Sequence, residues 1–134
     1  MSAQAINALI ARYAACLARR DAVGAANCVL TPTAFFFRDR VNVLNTREEV
    51  VNVIETYLNA LSDAGLDQIE INVKAQSMGA NGSCAVWADC LTSQAKSNLS
   101  ARSLTRYFCK LDEDDEFKLS MFEVLEHDSP LLPA

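Results

Sequence analysis

From Asp67 almost to the end of the chain the hydrophobic pattern runs at period two, and this stretch limits the fold more than any other feature. Ile69, Ile71, Val73 and Ala75 fall on one face and Glu70, Asn72, Lys74 and Gln76 on the other, the pattern of a half-buried strand. Asn81-Gly82 has the chemistry of a tight hairpin turn. "SCAVWADCLTS" returns as a strand, and "ARSLTRYFCKLD" and "EFKLSMFEVLE" make two more, joined across the acidic turn from Asp112 to Asp115. A four-stranded antiparallel meander of this kind has an apolar face that other elements must cover.

The first half of the chain supplies the cover. Ile6, Leu9, Ile10, Tyr13, Cys16 and Leu17 form one stripe of a helix over residues 3 to 20. Asp21 can cap a second, short helix through Cys28, stopped by Thr31-Pro32. Thr46 with Glu49 reads as a capping box for a helix that carries Val50, Val53, Ile54, Tyr57, Leu58 and Leu61 on one face and ends at Gly65. "TAFFFRD" and "RVNVLN" between them are short and rich in β-formers, predicting strands near 33–39 and 41–44. The order is α+β, with three helices on one face of a curved, mostly antiparallel sheet. At 134 residues the chain is expected to be a single domain, 1–134.

A net charge of −5 argues against a phosphate-backbone partner, which needs clustered Lys and Arg. Five cysteines without a C-x-x-C pair, and a single histidine, signal neither a disulfide framework nor a metal site, and no cofactor is implied. Reduced thiols fit a cytoplasmic protein. No apolar stretch is long enough to cross a membrane as a helix.

The element order, together with "IARYAACLARRD" and "NTREEVVNVIETYLNAL", resembles the nuclear transport factor 2-like superfamily of cone-shaped domains, over about residues 3 to 127. That resemblance implies a cavity between the helices and the concave side of the sheet, and a convex side that often forms a homodimer. Ala11-Arg12-Tyr13 is similar to the segment that supplies the catalytic tyrosine of ketosteroid isomerase. The position similar to that enzyme's general-base aspartate holds Arg38, and Leu91 to Leu111 contains no Asp or Glu to match its protonated acid; Leu104 stands there instead. Steroid isomerisation by that mechanism is therefore rejected. The lone His127 lies past the last strand, away from the His-Asp pair of the dehydratase relatives.

Strand alternation divides the remaining candidates. Phe36 and Arg38 share one face of their strand, and Phe35, Phe37 and Asp39 share the other. The family-like alignment turns Phe36 and Arg38 inward, along with Val86, Ala88, Cys90 and Thr92. Cys90 is a small buried hydrophobe or a wall of the pocket. Arg106 shares a face with Phe108, and Phe122 is read as a further wall. Trp87, Asp89 and Leu91 then face out, as do Phe117, Leu119 and Met121, so large apolar groups lie on both faces and a homodimer is expected. The expected site is a pocket walled by Tyr13, Phe36, Ile54, Tyr57, Cys90, Phe108 and Phe122, with Arg38 and Arg106 as contacts to the acidic group of a small apolar ligand. Any chemistry there would be proton transfer or elimination beside a carbonyl, with Asp39 or Asp89 as base and Tyr13 as donor. The alternative is a non-catalytic dimerisation or partner-binding module in which Arg38 and Arg106 are ordinary surface charges and Tyr13 is core.

Overall fold

The helix stripe read from the sequence is buried in full: Ile6, Leu9, Ile10, Tyr13, Cys16 and Leu17 of α1 (Ser2–Ala18) are all core. The computed structural model describes residues 2–37, 39–79 and 82–127. The expected hairpin residue Asn81 lies outside the described residues, while Gly82 beside it has φ +74°. α1 ends where Arg20 takes a positive φ of 62° and the Asp21 amide donates back to the Cys16 carbonyl at 2.8 Å. Asp21 then caps α2 (Ala22–Ala26), accepting from the Gly24 amide at 2.9 Å. A Cβ at Gly24 would meet the Asp21 carboxylate at 2.3 Å and the Cys16 sulfur at 2.9 Å, so only glycine lets the two helices approach this closely.

α2 is shorter than expected. The chain is already in β1 (Val29–Phe37) at Val29, so Pro32 sits inside a strand, after a cis peptide bond, instead of stopping a helix. A strand tolerates a proline there because the ladder of β1 is irregular between Val29 and Ala34, where a missing N–H costs no sheet bond. β2 (Arg40–Leu44) follows as the edge strand. In α3 (Arg47–Asp63) the reciprocal cap forms: the Glu49 amide donates to Thr46 Oγ1, and the Glu49 carboxylate accepts from the Asn45 amide at 2.8 Å. Gly65, with φ +79°, and the 2.9 Å bond from the Leu66 amide to the Leu61 carbonyl close the helix.

β3 (Gln68–Met78), β4 (Cys84–Ser93), β5 (Ser100–Leu111) and β6 (Phe117–His127) form the meander. The sheet order is β2-β1-β6-β5-β4-β3, antiparallel throughout except for the parallel pair β1 and β6. α1 lies against β3, and α3 packs on α2 and reaches β1 and β2. Among the described residues, one side of the sheet therefore faces helices and the other faces none.

Three register shifts decide which residues face the helices. Between Val73 and Ala75 the β3 ladder slips, so Ala75 pairs with the outward Trp87 while Gln76 turns inward beside Val86. On β6 the partner of Cys109 is Leu119 and that of Phe108 is Met121, leaving Ser120 as an extra residue whose hydroxyl donates to the Phe108 carbonyl. Leu125 is extra in the same way beside Leu104 and Thr105. Each inserted residue flips the alternation beyond it. Leu119, expected on the outer face, is consequently 0% exposed in the core, and Phe117 packs against that core too, whereas Met121 does face out.

Candidate functional site

Between the helices and the sheet lies a cavity of about 440 Å³. Its floor and sides come from Tyr13 and Leu17 of α1, Val50, Ile54 and Tyr57 of α3, Phe35 and Phe37 of β1, Cys90 and Thr92 of β4, Thr105 and Tyr107 of β5, and Phe122 and Val124 of β6. The rim carries Arg40 and Asn42 of β2, Thr56 and Ala60 of α3, and Arg102 and Ser103 of β5. Among the described residues that line it there is no Asp, Glu or Lys.

All three tyrosines of the chain are in this wall. The Tyr13 and Tyr107 rings meet edge to face with centroids 6.2 Å apart, and both pack on Phe122, at 6.1 and 5.7 Å. Phe35 stacks on the same Phe122 ring at 6.2 Å. These contacts fix the phenol positions without using the hydroxyls. The Tyr57 hydroxyl and the Cys90 thiol are neighbours in this wall. Among the described residues neither the Tyr13 nor the Tyr107 hydroxyl has a hydrogen-bond partner, and neither is a polar atom sealed from open space, so both front the cavity. Burial raises the pKa of all three phenols above the ordinary value, with the neighbouring Cys90 adding to the effect, and burial likewise raises Cys90. At neutral pH the cluster is a set of uncharged donors.

That shift has an observable consequence. An unfolded tyrosine ionises near pH 10, and these three hold their protons beyond it. Above that value the unfolded chain sheds protons that the native chain keeps, so stability is unaffected by the phenols below about pH 10 and falls as the pH climbs past it. Tyrosinate absorbance is therefore expected to stay flat in the native protein through about pH 11 and to appear together with loss of the far-ultraviolet helix signal. A gradual rise in a still-folded protein would contradict the buried placement of the phenols.

No protein-family model matches the sequence, and comparison with curated proteins finds no match. Solved structures do match. A nuclear transport factor 2-like protein of unknown function from Shewanella oneidensis superposes with a TM-score of 0.77 at 12% identity, over 94% of this chain and 100% of that one. The fold is nuclear transport factor 2-like. ActVI-ORFA from Streptomyces coelicolor gives 0.70 at 20% identity, covering 93% and 96% of the two chains, and a ketosteroid isomerase-like protein from Erwinia carotovora gives 0.69 at 12%, covering 95% and 96%.

Within this nuclear transport factor 2-like cone, the expected site residues divide. Tyr13, Ile54, Tyr57, Cys90 and Phe122 line the cavity. Phe36 does not, since Phe35 and Phe37 take the inward positions of β1 and Phe36 faces the other side, paired across to Glu123. Arg38 lies outside the described residues. Arg106 and Phe108 are also on the outer side: the Arg106 guanidinium is ion-paired with Glu123 and sits over the Phe108 ring at 5.1 Å and the Trp87 ring at 5.8 Å. The physical reason is desolvation. The other face of β5 offers Ala101, Ser103, Thr105, Tyr107 and Cys109, which enter a closed space without stripping water from a guanidinium.

Tyr107, Phe35 and Phe37 are the aromatic wall residues absent from the expected site; the alternation of arginines along β5 was the signal that could have found Tyr107. Neither carboxylate considered as a base reaches the cavity. Asp89 is on the outer face, 2.7 Å from Arg102 and 3.4 Å from Lys74, and Asp39 is exposed in the turn between β1 and β2. No group of three or more His, Cys, Asp or Glu that could hold a metal ion occurs among the described residues, and no helix among them is long and apolar enough to cross a membrane.

Proposed function

We propose that this chain binds a small, mostly apolar, uncharged molecule whose hydrogen-bond acceptor, such as a ketone carbonyl, is received by the tyrosine hydroxyls. The observation that carries the reading is the roughly 440 Å³ cavity whose interior polar groups are neutral phenols, hydroxyls and a thiol. Its size falls in the range of about 300–1,000 Å³ used for drug-sized ligands. An acidic ligand would not meet Arg106, which is on the outer face, and past Arg40 and Arg102 at the rim would bring its charge among neutral donors at a desolvation cost. The fold itself assigns no chemistry, and with Asp89 turned away the reading is of binding and carbonyl polarisation.

A thermal-shift panel of aryl and alicyclic ketones tests it. A ligand present at about 100 times its Kd adds about 2.7 kcal/mol to stability, which for a chain of this size raises the melting temperature by about 10 °C. A panel in which no neutral carbonyl compound raises the melting temperature, while carboxylates of the same skeleton do, would overturn it.

A second reading concerns the outer sheet face and does not exclude the first. Phe36, Trp87, Phe108 and Met121 are only half-buried there, and Val41 and Val43 of the edge strand are 53% and 57% exposed. We infer that two chains pair through this face, since an apolar sheet surface without helices needs a cover. Light scattering at micromolar concentration is expected to give the mass of two chains, and Trp87→Asp that of one. A single-chain mass for the unaltered protein would contradict the pairing.

A further inference from the structure

We infer that Cys84 and Cys109 form a dithiol site that closes into an intrachain disulfide when the protein meets a small-molecule disulfide oxidant. The two residues are direct partners in the β4–β5 ladder. Directly opposed residues of an antiparallel pair have Cα atoms about 4.5 or 5.5 Å apart, depending on the pair type. Both separations lie inside the span of about 4.4–6.8 Å that a disulfide bridges. Direct opposition also puts both side chains on one face of the sheet. Here that is the core side, where the residues are 5% and 1% exposed and the two thiols are neighbours. Cys16, Cys28 and Cys90 have no such ladder partner among the cysteines.

The position gives the bond a structural consequence. Cys84 opens β4 just after the hairpin, and two residues inward Val86 pairs with Tyr107, a wall of the cavity. A covalent link there fastens β4 to β5 beside the tyrosine cluster. Access comes from opening of the hairpin end, because the thiols are buried in the closed state.

The chemistry balances with oxidised glutathione as the probe. One cysteine thiolate attacks a sulfur of the glutathione disulfide, releasing one glutathione thiolate and leaving a mixed disulfide. The second cysteine thiolate attacks the protein sulfur of that mixed disulfide and releases the other glutathione. The pair loses two protons and two electrons, and the probe is reduced to two thiols. Burial raises both cysteines above their ordinary value near 9, so the attacking thiolate is scarce at neutral pH and the rate is expected to keep climbing past pH 9.

The test is exposure of the reduced full chain to oxidised glutathione, followed by alkylation under denaturing conditions, proteolysis and mass mapping. The expected result is a chain lighter by two hydrogens, with no retained glutathione and a linked peptide joining Cys84 to Cys109. Cys84→Ala and Cys109→Ala variants should instead retain a glutathione adduct or a free thiol at the surviving partner. The oxidised chain is expected to melt on the order of 5–15 °C higher. Two cysteines that remain fully alkylatable, a stable glutathione adduct on the unaltered chain, or a link through Cys16, Cys28 or Cys90 would overturn the assignment. The unaltered chain alone decides between these outcomes, so the assignment stays testable even if a variant fails to fold.

Discussion

Leu119→Ala is expected to lower stability by about 3 kcal/mol, within the range of about 2–5 kcal/mol for emptying a fully buried leucine site. In a chain of this length the melting temperature falls by about 10 °C. Leu119 is completely buried, and its amide donates to the Cys28 carbonyl at 2.7 Å, so the site is held by backbone and cannot collapse easily onto the space left behind. Met121→Ala, two positions along the same strand, is expected to cost about 1 kcal/mol or less, because Met121 is half-buried on the face without helices. Strict alternation from the sequence puts both residues on the outer face and predicts two small effects. The pair of denaturant midpoints, read at low protein concentration so that association does not contribute, therefore tests the extra residue at Ser120. Equal, small losses would mean that the strand has no bulge there.

Ala60→Trp is expected to abolish ligand binding while leaving the fold intact. Ala60 is on the rim, half-buried on α3, and an indole at that position extends over the entrance and into space now unfilled, so it displaces a ligand without crowding the packed core. Tyr107→Phe is the milder companion. It keeps the ring contacts to Tyr13 and Phe122 and removes one hydroxyl, so affinity should fall roughly 2- to 10-fold, the worth of one neutral hydrogen bond. Arg106→Ala, on the other side of the sheet, should leave affinity unchanged. Calorimetric titration with the ketone that gives the largest thermal shift checks all three; undiminished binding by the Ala60→Trp chain would put the ligand elsewhere.

The two long helices were legible because helical signals are local, whereas α2 ends at Ala26, short of the expected Cys28. The α1 stripe from Ile6 to Leu17, the Thr46–Glu49 cap and the Gly65 stop depend on residues within a turn or two of one another, and the structure reproduces them. Strand existence was legible for the same reason, with β1 starting earlier than the β-rich run suggested because Pro32 fell within an irregular part of the ladder.

Strand facing was less legible, because alternation carries information only until an extra residue intervenes. The slip after Val73 and the insertions at Ser120 and Leu125 are made by long-range pairing, and nothing in the local residues of β6 announces them. β1 failed differently: Phe35, Phe36 and Phe37 offer an aromatic group to either face, so the run is silent on which side is in. The opposite face of β5 was readable after all, since seating Arg102 and Arg106 in a closed cavity demands two desolvated guanidiniums and the set containing Tyr107 demands none.

An interior lined by neutral phenols should accept a neutral acceptor group and refuse a charge. Calorimetry at neutral pH separates the two cases with a pair of ligands that share one bicyclic aromatic skeleton, one bearing a methyl ketone and the other a carboxylate. The ketone is expected to bind and the carboxylate to bind at least about tenfold more weakly, since a carboxylate inside the cavity gives up hydration for neutral donors while Arg40 and Arg102 stand at the rim. Equal or tighter binding of the carboxylate, with its affinity falling as salt is added, would contradict a charge-refusing cavity.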